Sequence, residues 1–98
     1  MQVKIQKSYR EIVAICDSEL LGKRFEEDKF QLDIKESFYK GEEKTKPEVL
    51  EIIKRMSVED ATFNIVGKEA TETALEAGII AKEGIKEIQG IPFALVLL

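Results

Sequence analysis

Apolar residues recur along this chain with two different periods, and the switch between them limits the folds open to it. Between Gln2 and Lys7, the apolar Val3 and Ile5 alternate with polar residues, which is typical of a strand with one buried face. From Pro47 onward the apolar residues recur every three or four positions, which predicts an amphipathic helix. A chain that changes period several times indicates strands and helices packed on one another.

The other segments complete a predicted order of elements. Further strands are predicted at Ile12–Ile15, around Phe30–Ile34 with an extension toward Phe38, at Thr62–Val66 and at Phe93–Leu98. A second helix is expected over Lys68–Ala77, closed by Gly78. The N-terminal strands suggest an antiparallel meander, and the strand–helix–strand pattern of Thr62–Ile88 suggests a right-handed parallel crossover. The predicted fold is α/β (mixed α+β): a single domain of residues 1–98, with a mixed sheet of about five or six strands and two main helices packed on it.

The absence of histidine removes most of the common catalytic constellations. Without it there is no Ser-His-Asp or Cys-His pair and no histidine-ligated zinc, and the single cysteine cannot form an intramolecular disulfide. Phosphate-loop and dinucleotide fingerprints are also missing. We therefore expect no metal and no cofactor, and any catalysis would depend on carboxylates, lysines or the lone thiol.

The net charge of −4 argues against strong non-specific binding to nucleic acid, and DNA is not expected as a partner. A local basic group remains, because Lys4, Lys7 and Arg10 precede any acidic residue. The aromatic stretch Phe38–Gly41 could stack a base, but aromatic residues at the end of a strand are more often core packing. No apolar run is long enough for a membrane span, so the chain is expected to be cytoplasmic, and its Lys- and Glu-rich composition resembles that of hyperthermophile proteins.

The first candidate stretch is Cys16–Glu19, directly after a predicted buried strand. Asp17 and Glu19 beside a thiol could form a cation site or an acid/base site at a strand end. The alternative is purely structural: Asp17 or Ser18 caps a short helical turn, Glu19 complements its positive end, and Cys16 is a small buried hydrophobe.

The second candidate stretch runs from Asn64 through Gly67 to Lys68 and carries a strand into a helix. Free backbone amides at the helix N-terminus, assisted by Lys68, could capture an anion. The alternative is that Gly67 permits a tight turn and Asn64 satisfies a local backbone group. If the strands before the two stretches are adjacent and parallel, both stretches open at one sheet edge, which would bring Asn64 within reach of Asp17 or Ser18.

Four motifs occur in order along the chain, at Val13–Lys23, Phe38–Glu42, Asn64–Gly67 and Gly90–Pro92. Together they resemble the archaeal family catalogued as domain of unknown function 424, over nearly the whole chain. The resemblance implies a small stand-alone archaeal protein with no established activity and a loose association with translation genes. It also places Phe93 where relatives carry histidine, so that position is not an essential catalytic base or metal ligand of the fold.

Three functions follow as hypotheses. The first is a non-catalytic binding module whose partner is RNA or a component of the translation machinery. The second is a small-ligand binder or enzyme that uses Cys16, Asp17, Glu19, Asn64, Gly67 and Lys68. The third is a structural subunit that forms oligomers through an exposed strand edge or the apolar tail.

Overall fold

The segments with strand periodicity assemble into one six-stranded mixed sheet and a separate two-stranded hairpin. The computed structural model describes all residues from 1 to 98. Its strands are β1 (Gln2–Lys7), β2 (Glu11–Cys16), β3 (Arg24–Glu27), β4 (Phe30–Asp33), β5 (Glu42–Glu43), β6 (Thr62–Val66), β7 (Lys86–Ile88) and β8 (Ile91–Leu97). Its helices are α1 (Glu36–Tyr39), α2 (Lys46–Val58) and α3 (Lys68–Ala77). The strand order of the main sheet is β5-β1-β2-β6-β8-β7, which confirms the predicted fold class.

The strands that precede the two candidate stretches are neighbours. β2 pairs with β6 in parallel, with Ile15 opposite Ile65 and Cys16 opposite Val66. β1 adds to the other side of β2 antiparallel, and β8 adds to the other side of β6 antiparallel. The expected adjacency of the two parallel strands is therefore confirmed.

One face of the sheet is covered by α2 and α3. A capping box starts α2, because the Thr45 hydroxyl accepts from the Glu48 N–H while the Glu48 carboxylate accepts from the Thr45 N–H. Gly78, at a left-handed φ of 80°, ends α3. The largest group of buried residues lies between these helices and the sheet: Met1, Val3, Val13, Ile15, Val49, Ile52, Ile53, Met56, Ala61, Phe63, Ile65, Ala70, Ala74 and Val96. None of the helices combines the length and the apolar character that crossing a membrane requires.

The opposite face of the sheet is only partly covered. A 3-10 turn at Ser18–Leu20, the β3–β4 hairpin and α1 enclose a second group of buried residues: Ala14, Cys16, Leu20, Leu32, Ile34, Tyr39, Val66 and Ile88. The part of this face formed by the C-terminal end of β8 stays open, and there Leu95 and Leu97 are 60% and 70% exposed.

Three details differ from the sequence-based expectation. The strand near Phe30 does not join a meander, because β4 pairs only with β3, a strand that the charged sequence Arg24–Glu27 concealed. The predicted extension toward Phe38 is instead the short helix α1. The strand that follows α3 is β7, which runs in the same direction as β6 but is separated from it by β8, so the two do not pair.

Candidate functional site

The two stretches selected from the sequence meet in one contact, and that contact is structural. Asp17 lies at the end of β2, where its carboxylate accepts the N–H of Glu69 at 3.1 Å and of Ala70 at 2.8 Å. These donors belong to the first turn of α3, so Asp17 caps this helix across the β2–β6 pair. The helix N-terminus does bind an anion, but the anion is the chain's own carboxylate.

Gly67 makes this contact possible because it has no side chain. Its φ of 111° is a conformation that other residues rarely adopt, and a Cβ at this position would overlap the Asp17 carboxyl group. Burial raises the pKa of Asp17, and the N–H groups of Ala70 and Glu69 oppose that rise. Asp17 does take the N-cap position of the following 3-10 turn, one of the two positions that the sequence predicted, but its side chain makes no bond there.

Cys16 points away from this contact. It is fully buried beneath the hairpin layer on the other face of the sheet. Burial, followed by the nearby charge of Asp17, raises the pKa of its thiol to about 12. A buried neutral thiol of this kind is neither a nucleophile nor a metal ligand at physiological pH.

The remaining predicted residues do not converge on a cleft. Glu19 and Lys68 are exposed and make no ion pair within the chain. Asn64 lies opposite Ala14 and Leu95 in the sheet and does not reach Asp17, contrary to expectation. Ser18 donates instead to Glu43, at 2.6 Å.

No group of three or more acidic or cysteine side chains is arranged to hold a metal ion. The aromatic stretch at the end of α1 is occupied in packing, because Phe38 and Tyr39 contact each other edge to face at 5.0 Å and Tyr39 is buried. The residues predicted at the strand ends therefore do not assemble into a metal site, and the predicted aromatic stretch is part of the core.

An open site lies elsewhere, along the outer edge of β1. β5 is only two residues long and pairs with Gln2 and Val3, so no strand pairs with the rest of β1 on that side. The nearby helix α1 accepts hydrogen bonds from the Lys4 and Gln6 side chains at its Ser37 and Phe38 carbonyls. The Met1 carbonyl accepts from Lys44 on this edge. Because backbone groups alternate between the two edges of a strand, the N–H and C=O groups of Ile5 and Lys7 also point outward. Neither residue makes a backbone hydrogen bond outside the β1–β2 ladder.

A groove of about 500 Å³ runs between this free edge and α2. We call it the β1–α2 groove. Its lining residues are Val3, Lys4, Ile5, Gly41, Glu42, Lys44, Glu48, Glu51, Ile52 and Arg55. Val3 and Ile52 form a largely buried apolar floor, and Ile5 is 41% exposed.

The charged residues of the β1–α2 groove fall into two groups. Lys4 donates to the Ser37 carbonyl at 2.6 Å, Lys44 lies 3.6 Å from Glu42, and Glu48 is held by the capping box. Glu51 and Arg55, one helical turn apart on α2, make neither a hydrogen bond nor an ion pair within the chain.

Sequence reasoning missed this groove for a specific reason. Ile5 belongs to a regular alternation and was expected to be buried, whereas the structure leaves it at the margin of the core. The sequence feature that could have predicted the groove is the charged stretch Gly41–Lys46, which is too polar and too short to form a full strand beside β1.

Comparison with known proteins agrees with the fold. The family model described as Protein of unknown function (DUF424) matches residues 5–98. A crystal structure of an uncharacterized conserved protein from Methanopyrus kandleri is similar, with a TM-score of 0.83 and 23% sequence identity over 98% of this chain and 90% of that chain. No curated protein matches the sequence. Since the family model covers almost the whole chain, the protein belongs to the DUF424 family of proteins of unknown function.

Proposed function

We propose that this protein is a non-catalytic binding module that docks an extended segment of a partner protein in the β1–α2 groove. The docked segment adds as a strand to β1, in line with the short β5, and its alternate side chains face α2. The observation that carries the proposal is the free edge of β1: outward backbone groups at Ile5 and Lys7 beside a groove with an apolar floor.

The chemistry of the groove fits an extended peptide better than a compact small molecule. An unpaired strand edge offers alternating donors and acceptors that only another backbone in β conformation can satisfy repeatedly. The volume of about 500 Å³ is within the usual range for ligand sites, but it is shallow and its rim is charged. Its lining residues include no histidine, cysteine, serine or threonine.

The family resemblance suggests where the partner is to be sought. We propose that it is a protein component of the translation machinery and that the module acts in the cytoplasm. RNA is the other partner expected from the sequence, but its support is weaker. Lys4 and Lys7 are three positions apart in β1, so their side chains point to opposite faces of the sheet. Arg10 donates to the Leu98 carbonyl. The three basic residues therefore do not share one face of the sheet.

Proline variants on the open edge test strand addition directly. Ile5→Pro and Lys7→Pro each remove an outward N–H while leaving the β1–β2 ladder intact, and edge strands tolerate such prolines. Peptides of about twelve residues, selected from a random display library on the wild-type protein, provide the probe. We expect both variants to fold and to bind the selected peptides at least about tenfold more weakly, whereas Ile5→Val, which keeps the N–H, binds as wild type.

Undiminished peptide binding by both folded proline variants would overturn the proposal, as would a failure to select any peptide. Generic single-stranded RNA is tested in parallel. RNA binding that is lost when Lys4, Lys7 and Arg10 are all changed to Glu would favour the RNA alternative over peptide docking.

Self-association is a second candidate, favoured by the open part of β8. Because the Pro92 carbonyl accepts from the Gly67 N–H on the β6 side, the backbone groups of Leu95 and Leu97 point to the other edge, beyond the end of β7. Their exposed side chains add apolar surface. Light scattering after size-exclusion chromatography tests this: a dimer that becomes monomeric in the Leu95→Lys/Leu97→Lys double variant would support it, and a wild-type monomer at high concentration would exclude it.

A further inference from the structure

Two charges in the β1–α2 groove have no partner in the chain, and they lie on the wall that a docked strand would face. Four of the six charged lining residues are already engaged in hydrogen bonds or ion pairs. The remaining two, Glu51 and Arg55, are of opposite sign and stand four residues apart on α2. Their charges are therefore available to an incoming segment.

The spacing of these two charges matches the repeat of a strand. Four residues of an α-helix advance about 6 Å along its axis. Side chains at alternate positions of a β-strand, which share one face, are about 6.6–6.8 Å apart. One side chain of a docked strand can thus lie opposite Glu51 while the next on the same face lies opposite Arg55.

The topology also fixes the order in which a docked strand meets them. α2 begins beside the first residues of β1, because Lys44 binds the Met1 carbonyl. α2 ends shortly before β6. The first residue of β6 lies opposite Ile12 of β2, and Ile12 in turn lies opposite Gln6, near the C-terminal end of β1. α2 therefore runs in the same direction as β1, and Arg55 lies toward the Lys7 end.

We propose, on the basis of the docking function above, that Glu51 and Arg55 select the docked segment by the order of its charges. β5 already adds to this edge antiparallel, and antiparallel pairs are the more common kind. A segment that continues in that direction meets Arg55 first and Glu51 second. It therefore carries an acidic residue, any one residue, and then a basic residue.

Charge-reversed variants and the random peptide library test this selection. We expect the wild type to enrich the acidic–x–basic order over the reverse by about three- to tenfold, since each exposed pair contributes modestly. The Glu51→Lys/Arg55→Glu double variant should enrich the opposite order. Lys54→Glu reverses a charge with the same sign and size as Arg55→Glu alone, but at a residue of α2 outside this groove, and it should keep the wild-type preference.

The result that would overturn the inference is peptide enrichment without a preferred charge order, or a preference that the double reversal leaves unchanged. That failure is separate from a failure of strand addition. If charge order does not matter but Ile5→Pro still abolishes binding of the selected peptides, docking on β1 stands and only the selection by Glu51 and Arg55 is wrong.

Discussion

The Asp17 carboxylate is buried at a strand end, and it is stabilised there by hydrogen bonds from two backbone amides in the first turn of α3. Both the acid and the glycine beside it could be selected from the sequence, since a carboxylate after a buried strand and a glycine before a helix are conspicuous. The pairing of the two strands was expected as well, but the bond from the Ala70 N–H to Asp17 was not, because these residues are separated by 53 positions. Only the pairing of β2 with β6 brings them together.

Replacing Gly67 by alanine should be strongly destabilising. The added Cβ would overlap the Asp17 carboxyl group, and the residue would keep a φ of 111°. We expect a loss of about 2–4 kcal/mol in the free energy of unfolding, measured by chemical denaturation. Gly78→Ala is the matched control: its φ is 80° but nothing lies within 4 Å, so about 1 kcal/mol is expected. Equal losses for the two variants would show that the close approach to Asp17 is unimportant.

The thiol of Cys16 should be inert in the folded protein. With a pKa of about 12, only about one molecule in ten thousand carries a thiolate at pH 8, and the side chain is inaccessible. A chromogenic disulfide reagent should therefore label native protein far more slowly than the same chain in denaturant. Rapid stoichiometric labelling without denaturant would contradict this burial and reopen Cys16 as a reactive group.

At the scale of elements, the long regular segments were predictable and the short charged ones were not. β1, β6 and α3 have the bounds expected from periodicity and capping, because burial of one face determines which residues are apolar. β3 and β5 consist mainly of charged residues on exposed edges, where no burial constrains the sequence. The β1–α2 groove went unpredicted for the same reason, since it exists where β5 is too short to cover β1.

The capping box is the local interaction that starts α2, the helix forming one wall of the groove. Thr45→Ala removes the hydroxyl that accepts the Glu48 N–H, and it should lower the free energy of unfolding by about 1 kcal/mol. Ser57→Ala is the comparison, because that hydroxyl donates to the Ile53 carbonyl, which is already within the helix, and its loss should cost less. The prediction fails if thermal denaturation ranks the two variants in the opposite order.

At the scale of the whole molecule, each face and edge of the sheet has a different role. The helices and the hairpin layer enclose the core, and the parallel β2–β6 pair, where ligands often gather in open sheets, is closed by the contact between Asp17 and α3. The exposed backbone lies at the margins, along β1 and the end of β8. The proposed docking function therefore depends on the exposed edge of β1 rather than on a pocket at the strand ends.

Amide hydrogen exchange along β1 shows residue by residue whether a peptide docks on this edge. In the free protein, the amides of Lys4 and Gln6, bonded to β2, should exchange more slowly than those of Ile5 and Lys7, which face solvent. Adding a selected peptide should slow exchange at Ile5 and Lys7 by about tenfold or more and change Lys4 and Gln6 little. Peptide binding that leaves Ile5 and Lys7 exchanging as before, or that protects Leu95 and Leu97 instead, would contradict docking on β1.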